Sequence, residues 1–147
     1  LVSGSDDNTL LMWAPGVAGD APCRPLARMT GHQQLVNDIR FSPDGRYCAS
    51  ASFDKKVRLW NGLTGRFLAT LHGHVGPVYR LAWSPDSRML LSASKDGTLK
   101  VWDPAAPKHA KETLSGHHDE VYAVDWSPSG ALAASGSKDR SVKIWRN

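Results

Sequence analysis

A polar skeleton that occurs three times at fixed spacing constrains this chain more than any other feature. A histidine is followed by a serine 18 residues later, an aspartate 4 residues after that, and a tryptophan 6 residues further on. The histidines are 42 and 43 residues apart, a period that predicts stacked supersecondary units burying surface against their neighbours. The three full copies, and a partial copy without histidine, are His32, Ser50, Asp54 and Trp60; His74, Ser92, Asp96 and Trp102; His117, Ser135, Asp139 and Trp145; and Ser3, Asp7 and Trp13.

Each copy predicts four short β-strands separated by turns. In the copy that begins at His32, the turn at residues 42–45 reads Ser-Pro-Asp-Gly, in which Pro fixes φ and Gly tolerates positive φ. A tight hairpin is predicted at residues 53–56. The predicted strands are Val36–Phe41, Tyr47–Ser52, Val57–Trp60 and Phe67–Leu71, and in the next copy Val78–Trp83, Met89–Ser94, Thr98–Trp102 and Lys111–Leu114. A Pro/Gly-rich insertion at residues 14–25 is predicted to be an exposed loop.

Composition narrows the function only slightly. The formal net charge is +4, which favours acidic partners such as RNA or an acidic protein face, although an ordinary solvated surface explains it equally simply. The two cysteines, Cys23 and Cys48, form no CxxC motif, which favours reduced, structural thiols in an intracellular protein. No apolar run reaches the length that a membrane-spanning helix needs, so no membrane partner is expected.

Serine, histidine and aspartate within one unit raise the possibility of a hydrolase. Nucleophilic catalysis needs one activated set with an oxyanion site, whereas this chain has three full sets and a partial one. A carboxylate, an imidazole, a hydroxyl and an indole N–H can instead satisfy one another's hydrogen bonds, so we expect structural tetrads and no catalytic residues. The pairs His72 with His74 and His117 with His118 lack metal-ligand spacing to a cysteine, and no Gly-rich phosphate loop occurs, so neither a metal nor a cofactor is expected.

The motifs Gly-His, Ser-Pro-Asp-Gly, Ser-x-Ser-x-Asp and Trp-Asp, in that order, resemble the WD40 repeat. Asn61, Arg146 and Ala14 stand where the aspartate of Trp-Asp is usual. The resemblance implies an all-β WD40 β-propeller, with about three and a half four-stranded blades of a larger ring of seven or eight. The expected blades are residues 1–30 (partial), 31–72, 73–115 and 116–147, the last lacking its fourth strand.

Less generic segments resemble a narrower family, the Notchless assembly factors of the large ribosomal subunit. They include Thr30–Asn37, Ala49–Lys55, Gly73–Tyr79 and Asp119–Pro128. The resemblance implies a non-catalytic scaffold in the nucleolus and nucleoplasm that docks on pre-ribosomal large-subunit proteins, with ribosomal RNA as a further candidate partner. It also implies action with the AAA+ ATPase midasin through an N-terminal ubiquitin-like domain that these 147 residues do not contain. The alternative is a substrate-recognition or signalling propeller, such as a ubiquitin-ligase receptor; in neither case is a small-molecule substrate expected.

Two positions of the repeat differ from copy to copy and open onto one face of a propeller, around its channel. The residue before the hairpin aspartate is Phe53, Lys95 or Lys138, and the residue after the valine that follows Gly-His is Asn37, Tyr79 or Tyr122. Aromatic and cationic side chains together are typical of interfaces, so these six form the candidate partner-binding face. Phe53 is expected to be exposed, whereas the tyrosines either join this face or pack between blades.

Overall fold

The computed structural model describes residues 1–14 and 24–146, and within these ranges every regular element is a β-strand. This confirms the predicted all-β class. Most of the predicted insertion loop lies outside the described residues, although its last residue, Pro25, begins a strand. The strands are β1 Val2–Gly4, β2 Leu10–Trp13, β3 Pro25–Met29, β4 Val36–Phe41, β5 Tyr47–Ser52, β6 Val57–Asn61, β7 Phe67–Leu71, β8 Val78–Trp83, β9 Leu90–Ser94, β10 Thr98–Trp102, β11 Glu112–Ser115, β12 Val121–Trp126, β13 Leu132–Ser137 and β14 Val142–Arg146.

The strands form four antiparallel sheets, in each of which every strand pairs with the next one along the chain. The first sheet contains β1–β3, the second β4–β7, the third β8–β11 and the fourth β12–β14. Predicted and observed strand bounds agree within one residue; for example, β11 is displaced by one residue from the predicted Lys111–Leu114. Each sheet falls within one of the residue ranges expected for a blade, although the assignment of blade boundaries stays a prediction.

The core lies between the sheets. Leu10 and Met12 of the first sheet pack against Cys48 and Trp60 of the second. A second cluster joins the second and third sheets, and a third cluster joins the third and fourth. Alternating side chains of one strand face opposite neighbours, so each inner sheet contributes to two cores. This stacking of four sheets is consistent with a WD40 propeller.

The first strands of the last three sheets contact one another in sequence, β4 with β8 and β8 with β12. Each contains an irregularity at the same place, because the pairing with the next strand shifts register across one residue. The residues at the shift are Asn37, Tyr79 and Tyr122. A β-bulge of this kind redirects the side chain of the extra residue.

No described helix is long and apolar enough to span a membrane.

The packing between the second and third sheets predicts a large difference between two leucines that are close in sequence. Leu59 lies in the core and is 1% exposed, whereas Leu63, in the turn after β6, is 79% exposed. Leu59→Ala should lower the free energy of unfolding by about 2–5 kcal/mol, because it removes buried methyl groups and leaves a cavity. Leu63→Ala should change it by less than about 0.5 kcal/mol. Urea denaturation measures both, and equal losses would contradict the assigned core.

Candidate functional site

The residues of each predicted tetrad are brought into hydrogen-bond contact. In the second sheet, His32 precedes β4, Ser50 lies on β5, Asp54 in the β5–β6 hairpin and Trp60 on β6. The His32 Nδ1–H donates to Asp54 Oδ2 at 2.8 Å, and His32 Nε2 is 2.8 Å from Ser50 Oγ. The Trp60 Nε1–H donates to the same Ser50 Oγ at 2.9 Å. An ionised carboxylate only accepts hydrogen bonds, so the ring proton of His32 lies on Nδ1 and Nε2 is left as an acceptor. The Ser50 hydroxyl therefore donates to Nε2, and all four side chains have hydrogen-bond partners.

The same geometry recurs in the third and fourth sheets. The His-to-Asp distances are 2.8 Å in both, and the His-to-Ser distances are 2.7 Å and 2.8 Å. The indole N–H groups of Trp102 and Trp145 donate to their serines at 2.8 Å. In the first sheet, which has no equivalent histidine, the Trp13 Nε1–H still donates to Ser3 Oγ at 3.0 Å, while Asp7 accepts from Thr9.

These contacts have the connectivity of a hydrolytic triad but not its accessibility. Ser50 and Ser92 have no exposed surface, and Ser135 is 2% exposed. Each serine Oγ also accepts an indole N–H, so the buried hydroxyl is enclosed by the histidine and the tryptophan of its own tetrad. A reacting carbonyl therefore has no approach to the hydroxyl. The arrangement links four segments of a sheet.

The tetrad carboxyl groups have lowered pKa values. Burial of Asp54 opposes ionisation, but hydrogen bonds from the His32 ring and from the backbone N–H groups of Gln33 and Lys56 lower its pKa to about 2. Burial likewise opposes ionisation of Asp96, whose pKa is lowered by hydrogen bonds from His74 and Thr98. The pKa of Asp139 is lowered chiefly by a hydrogen bond from the Ser141 hydroxyl. Hydrogen bonds to the charged form favour that form.

A second serine in each copy was not assigned a role from the sequence. The Ser94 hydroxyl donates to the carbonyl of Pro77 at 2.8 Å and accepts the backbone N–H of Asp96 at 3.2 Å. Ser52 and Ser137 bridge the equivalent segments in the second and fourth sheets. The signal was present as the second serine of the Ser-x-Ser-x-Asp motif, two residues before each aspartate.

The histidine pairs and the cysteines are the side chains most suited to binding a transition metal. Within residues 1–14 and 24–146 there is no group of three His, Cys, Asp or Glu side chains arranged to hold a metal ion. His74 and His117 use both ring nitrogens in their tetrads. Cys48 is a free, buried thiol whose pKa is raised to about 12 by burial. Cys23 lies outside the described residues.

The aromatic members of the candidate partner-binding face form a continuous row across three sheets. The Phe53 and Tyr79 rings meet edge to face with centroids 5.8 Å apart, and the Tyr79 and Tyr122 centroids are 5.3 Å apart. Tyr79 and Tyr122 occupy the bulges of β8 and β12. Phe53 is fixed by its backbone N–H, which donates to the carbonyl of Leu35. We call Phe53, Tyr79, Tyr122, Lys95, Lys138 and Glu120 the rim cluster.

Glu120, which sequence reasoning missed, is the centre of the rim cluster. Its Oε2 accepts the hydroxyls of Tyr79 and Tyr122 at 2.8 Å and 3.1 Å, and its Oε1 accepts the Lys138 ammonium at 3.4 Å. The Lys95 ammonium is 3.9 Å from Oε1. The Tyr79 hydroxyl is the main cause that lowers the pKa of Glu120. No repeat signal marks this residue, because Leu35 and Pro77 occupy the equivalent positions.

Three members of the predicted face are only partly exposed, and for Phe53 this differs from the expectation. Phe53, expected to be exposed, is half-buried because its ring packs against Tyr79. Tyr79 is also half-buried and joins the third sheet to the fourth through Glu120; burial, then this hydrogen bond, raises its pKa to about 12. Asn37 joins the second sheet to the third, because its Nδ2–H donates to the carbonyl of Val78 at 2.9 Å. Tyr122, Lys95 and Lys138 are exposed.

Comparison with known proteins agrees with this geometry. The family described as "WD domain, G-beta repeat" matches residues 23–61, 65–103 and 109–146. The chain is 62% identical over 68 residues to the Notchless protein homolog of Arabidopsis thaliana, covering 46% of this chain and 14% of that protein. It is 52% identical over 69 residues to ribosome assembly protein 4 of Saccharomyces cerevisiae, covering 47% and 13%.

The matches extend beyond assembly proteins. The small ribosomal subunit protein RACK1 of Neurospora crassa is 42% identical over 65 residues, covering 44% of this chain and 21% of that protein. Each of these alignments covers a minority of both partners, so only a small part of each relative is represented. The identity to the two assembly proteins is higher than the identity to RACK1.

The tetrads predict a strong effect of Asp96→Ala on stability. The substitution leaves the His74 ring and the backbone N–H groups of Val75 and Thr98 without their acceptor. An unsatisfied buried polar group costs about 1–3 kcal/mol, so the melting temperature should fall clearly. Lys108→Ala, at an exposed position, is the control and should change almost nothing. Equal thermal shifts in the two variants would count against a structural role.

The lowered pKa values predict a loss of stability in acid. The Asp54 pKa is about 2 in the folded protein against an ordinary 3.8, so the unfolded chain takes up the proton first as the pH falls. The stabilisation from this carboxylate is therefore complete above the ordinary value and is lost as the pH approaches 2. Denaturation midpoints measured from neutral pH into acid should fall less steeply for Asp54→Asn than for the wild type. Asp6→Asn, at an exposed hairpin carboxylate, should keep the wild-type slope; identical slopes for all three proteins would refute the explanation.

Proposed function

The chain belongs to the WD40 repeat family, and on this premise we propose that it acts as a non-catalytic scaffold in maturation of the large ribosomal subunit. The observation that carries the proposal is the 62% identity to a Notchless homolog over 68 residues. Similarity to ribosome assembly protein 4 over a segment of nearly the same length points to the same process. In this role the chain binds precursors of the large subunit through its surface.

The buried tetrads support a scaffold over an enzyme. In each of the three equivalent Ser-His-Asp sets, the tryptophan indole N–H donates to the serine Oγ. An activated nucleophile would make one set differ from the other two in its hydrogen bonds, and these three sets have the same hydrogen bonds. The repeated residues thus account for the stability of the sheets, and the residues that vary at equivalent positions remain for recognition. Function in such folds resides in sites placed on the frame.

The docking face that we propose is the rim cluster together with Asn37. It joins the second, third and fourth sheets, and it combines aromatic rings with lysines, as interface centres do. We further propose that the protein works in the nucleolus and nucleoplasm and that midasin acts on the docked particle. The midasin contact would be made by a ubiquitin-like domain of the kind found in the Notchless family, not by the residues described here.

A second candidate is a signalling or substrate-recognition propeller, because the chain's repeats also match a WD protein that is not named for assembly, the small ribosomal subunit protein RACK1. Because that identity is 42% against 62% for the Notchless homolog, ribosome assembly is the better supported function. The two functions differ in what co-purifies with the protein. Large-subunit proteins and ribosomal RNA are expected in the first, and adaptor or cullin subunits in the second.

Co-sedimentation with large-subunit precursors tests the proposed function. The wild-type chain should sediment with the particles, and Phe53→Ala should weaken binding by up to about 2 kcal/mol, because it removes one ring from the row. Leu63→Ala, which removes an exposed side chain away from the rim cluster, is the control. Circular dichroism must show that all three proteins are folded. A wild-type chain that stays at the top of the gradient would contradict a role on these particles.

A further inference from the structure

The rim cluster presents aromatic rings whose hydroxyls are already bound. Both tyrosine hydroxyls donate to Glu120, so neither is free to donate to a partner. Tyr122 is 48% exposed, and its ring continues the row formed by Phe53 and Tyr79. Of the three rings in the row, that of Tyr122 is the most exposed to a partner. This surface therefore offers a partner apolar and planar contact, and the phenols do not donate hydrogen bonds to it.

The two lysines of the rim cluster are balanced by Glu120, which belongs to the cluster, and by Asp119, which lies beside it. Lys138 is 3.4 Å from Glu120 and 4.0 Å from Asp119, and Lys95 is 3.9 Å from Glu120. Asp119 and Glu120 raise the pKa of Lys138. Two lysines thus face two carboxylates. A phosphate that approached the lysines would either displace the nearby carboxylates or be repelled by their negative charge. The electrostatic gain that drives nucleic-acid binding is therefore small here.

We infer that the rim cluster binds a protein segment, which places an apolar or aromatic side chain on the Tyr122 ring, and does not bind RNA. The inference rests on the proposed function and names the class of partner for that site. Glu120 is a positioning residue: it holds two rings in place and neutralises the cations that would otherwise attract phosphate. Interfaces concentrate binding energy in aromatic anchors of this kind, surrounded by a polar border.

Removing the Glu120 carboxylate has opposite consequences for the two classes of partner. Glu120→Ala removes the acceptor of both tyrosine hydroxyls and the nearest carboxylate of both lysines, and it leaves Lys138 with Asp119 at 4.0 Å. A protein segment should then bind less tightly, because the rings lose their fixed orientation. RNA should bind more tightly, because one negative charge beside the two lysines is lost and Lys95 becomes available to phosphates. Glu112→Ala, which removes an exposed carboxylate from β11, is the matched control for net charge.

A second pair of variants tests the ring itself. Tyr122→Ala should weaken binding about tenfold, the loss expected for a modest interface anchor. Tyr122→Phe keeps the ring but loses its hydrogen bond to Glu120, so it should bind more tightly than Tyr122→Ala and less tightly than the wild type. Leu68→Ala is the control for lost apolar surface, because Leu68 is 46% exposed on β7, at the opposite end of the second sheet from β4. Tyr79 keeps its bond to Glu120 in both Tyr122 variants, so the neighbouring sheets stay joined.

The experiment measures binding of the full chain and its variants to purified large-subunit precursors at low and high ionic strength. The inference expects weaker binding for Glu120→Ala and Tyr122→Ala, unchanged binding for the controls, and little dependence on salt. Stronger binding of Glu120→Ala, or a steep loss of wild-type binding with salt, would overturn it in favour of RNA. Unchanged binding of both variants would show that the partner docks elsewhere, while the proposed function survives. Absence of wild-type binding would instead remove the proposed function, and the inference with it.

Discussion

The hydrogen-bonded set of histidine, aspartate, serine and tryptophan is the interaction on which the rest of the structure depends. In each full copy the histidine ring joins the connection before the first strand to the second strand and to the following hairpin. The tryptophan adds the third strand through the same serine oxygen. Every polar atom of the set has a partner, which is the condition under which a buried polar network fixes one arrangement instead of destabilising it. The connection and the hairpin are thereby held side by side.

That constraint places the variable residues. The residue before each hairpin aspartate donates its backbone N–H to the residue three positions after the histidine: Phe53 to Leu35, Lys95 to Pro77 and Lys138 to Glu120. The other variable position lies at the bulge in the first strand of its sheet, where Tyr79 and Tyr122 stand. The bulge turns these side chains toward the edge of the sheets at which the hairpins lie. The repeated residues hold the frame, and the frame brings unlike side chains of successive copies into contact. In the rim cluster this produces a row of rings anchored by one carboxylate.

The sequence was sufficient for the parts that repeat. Fixed spacing predicted the tetrads, and β-branched, aromatic and turn residues predicted strands such as Val36–Phe41 and Tyr47–Ser52 without error. Contacts between sheets were not predictable in this way. The Tyr79–Glu120 bond joins residues 41 apart that belong to different copies, and it depends on how far one sheet is rotated against the next. The Asn37–Val78 bond has the same origin, since no spacing within a copy encodes it.

Hydrogen exchange of the indole N–H groups, followed by NMR, tests most directly whether the tetrads hold the sheets together. Trp60 and Trp102 are almost fully buried and donate to serines inside their tetrads, so their Nε1–H signals should exchange slowly and with similar protection. The Trp13 indole donates to an exposed serine in the copy without histidine and should exchange much faster. Slow exchange of Trp60 and Trp102 beside fast exchange of Trp13 is the predicted result. Exchange of Trp60 and Trp102 as fast as that of Trp13 would contradict the account, because the tetrads would then be open in the folded protein.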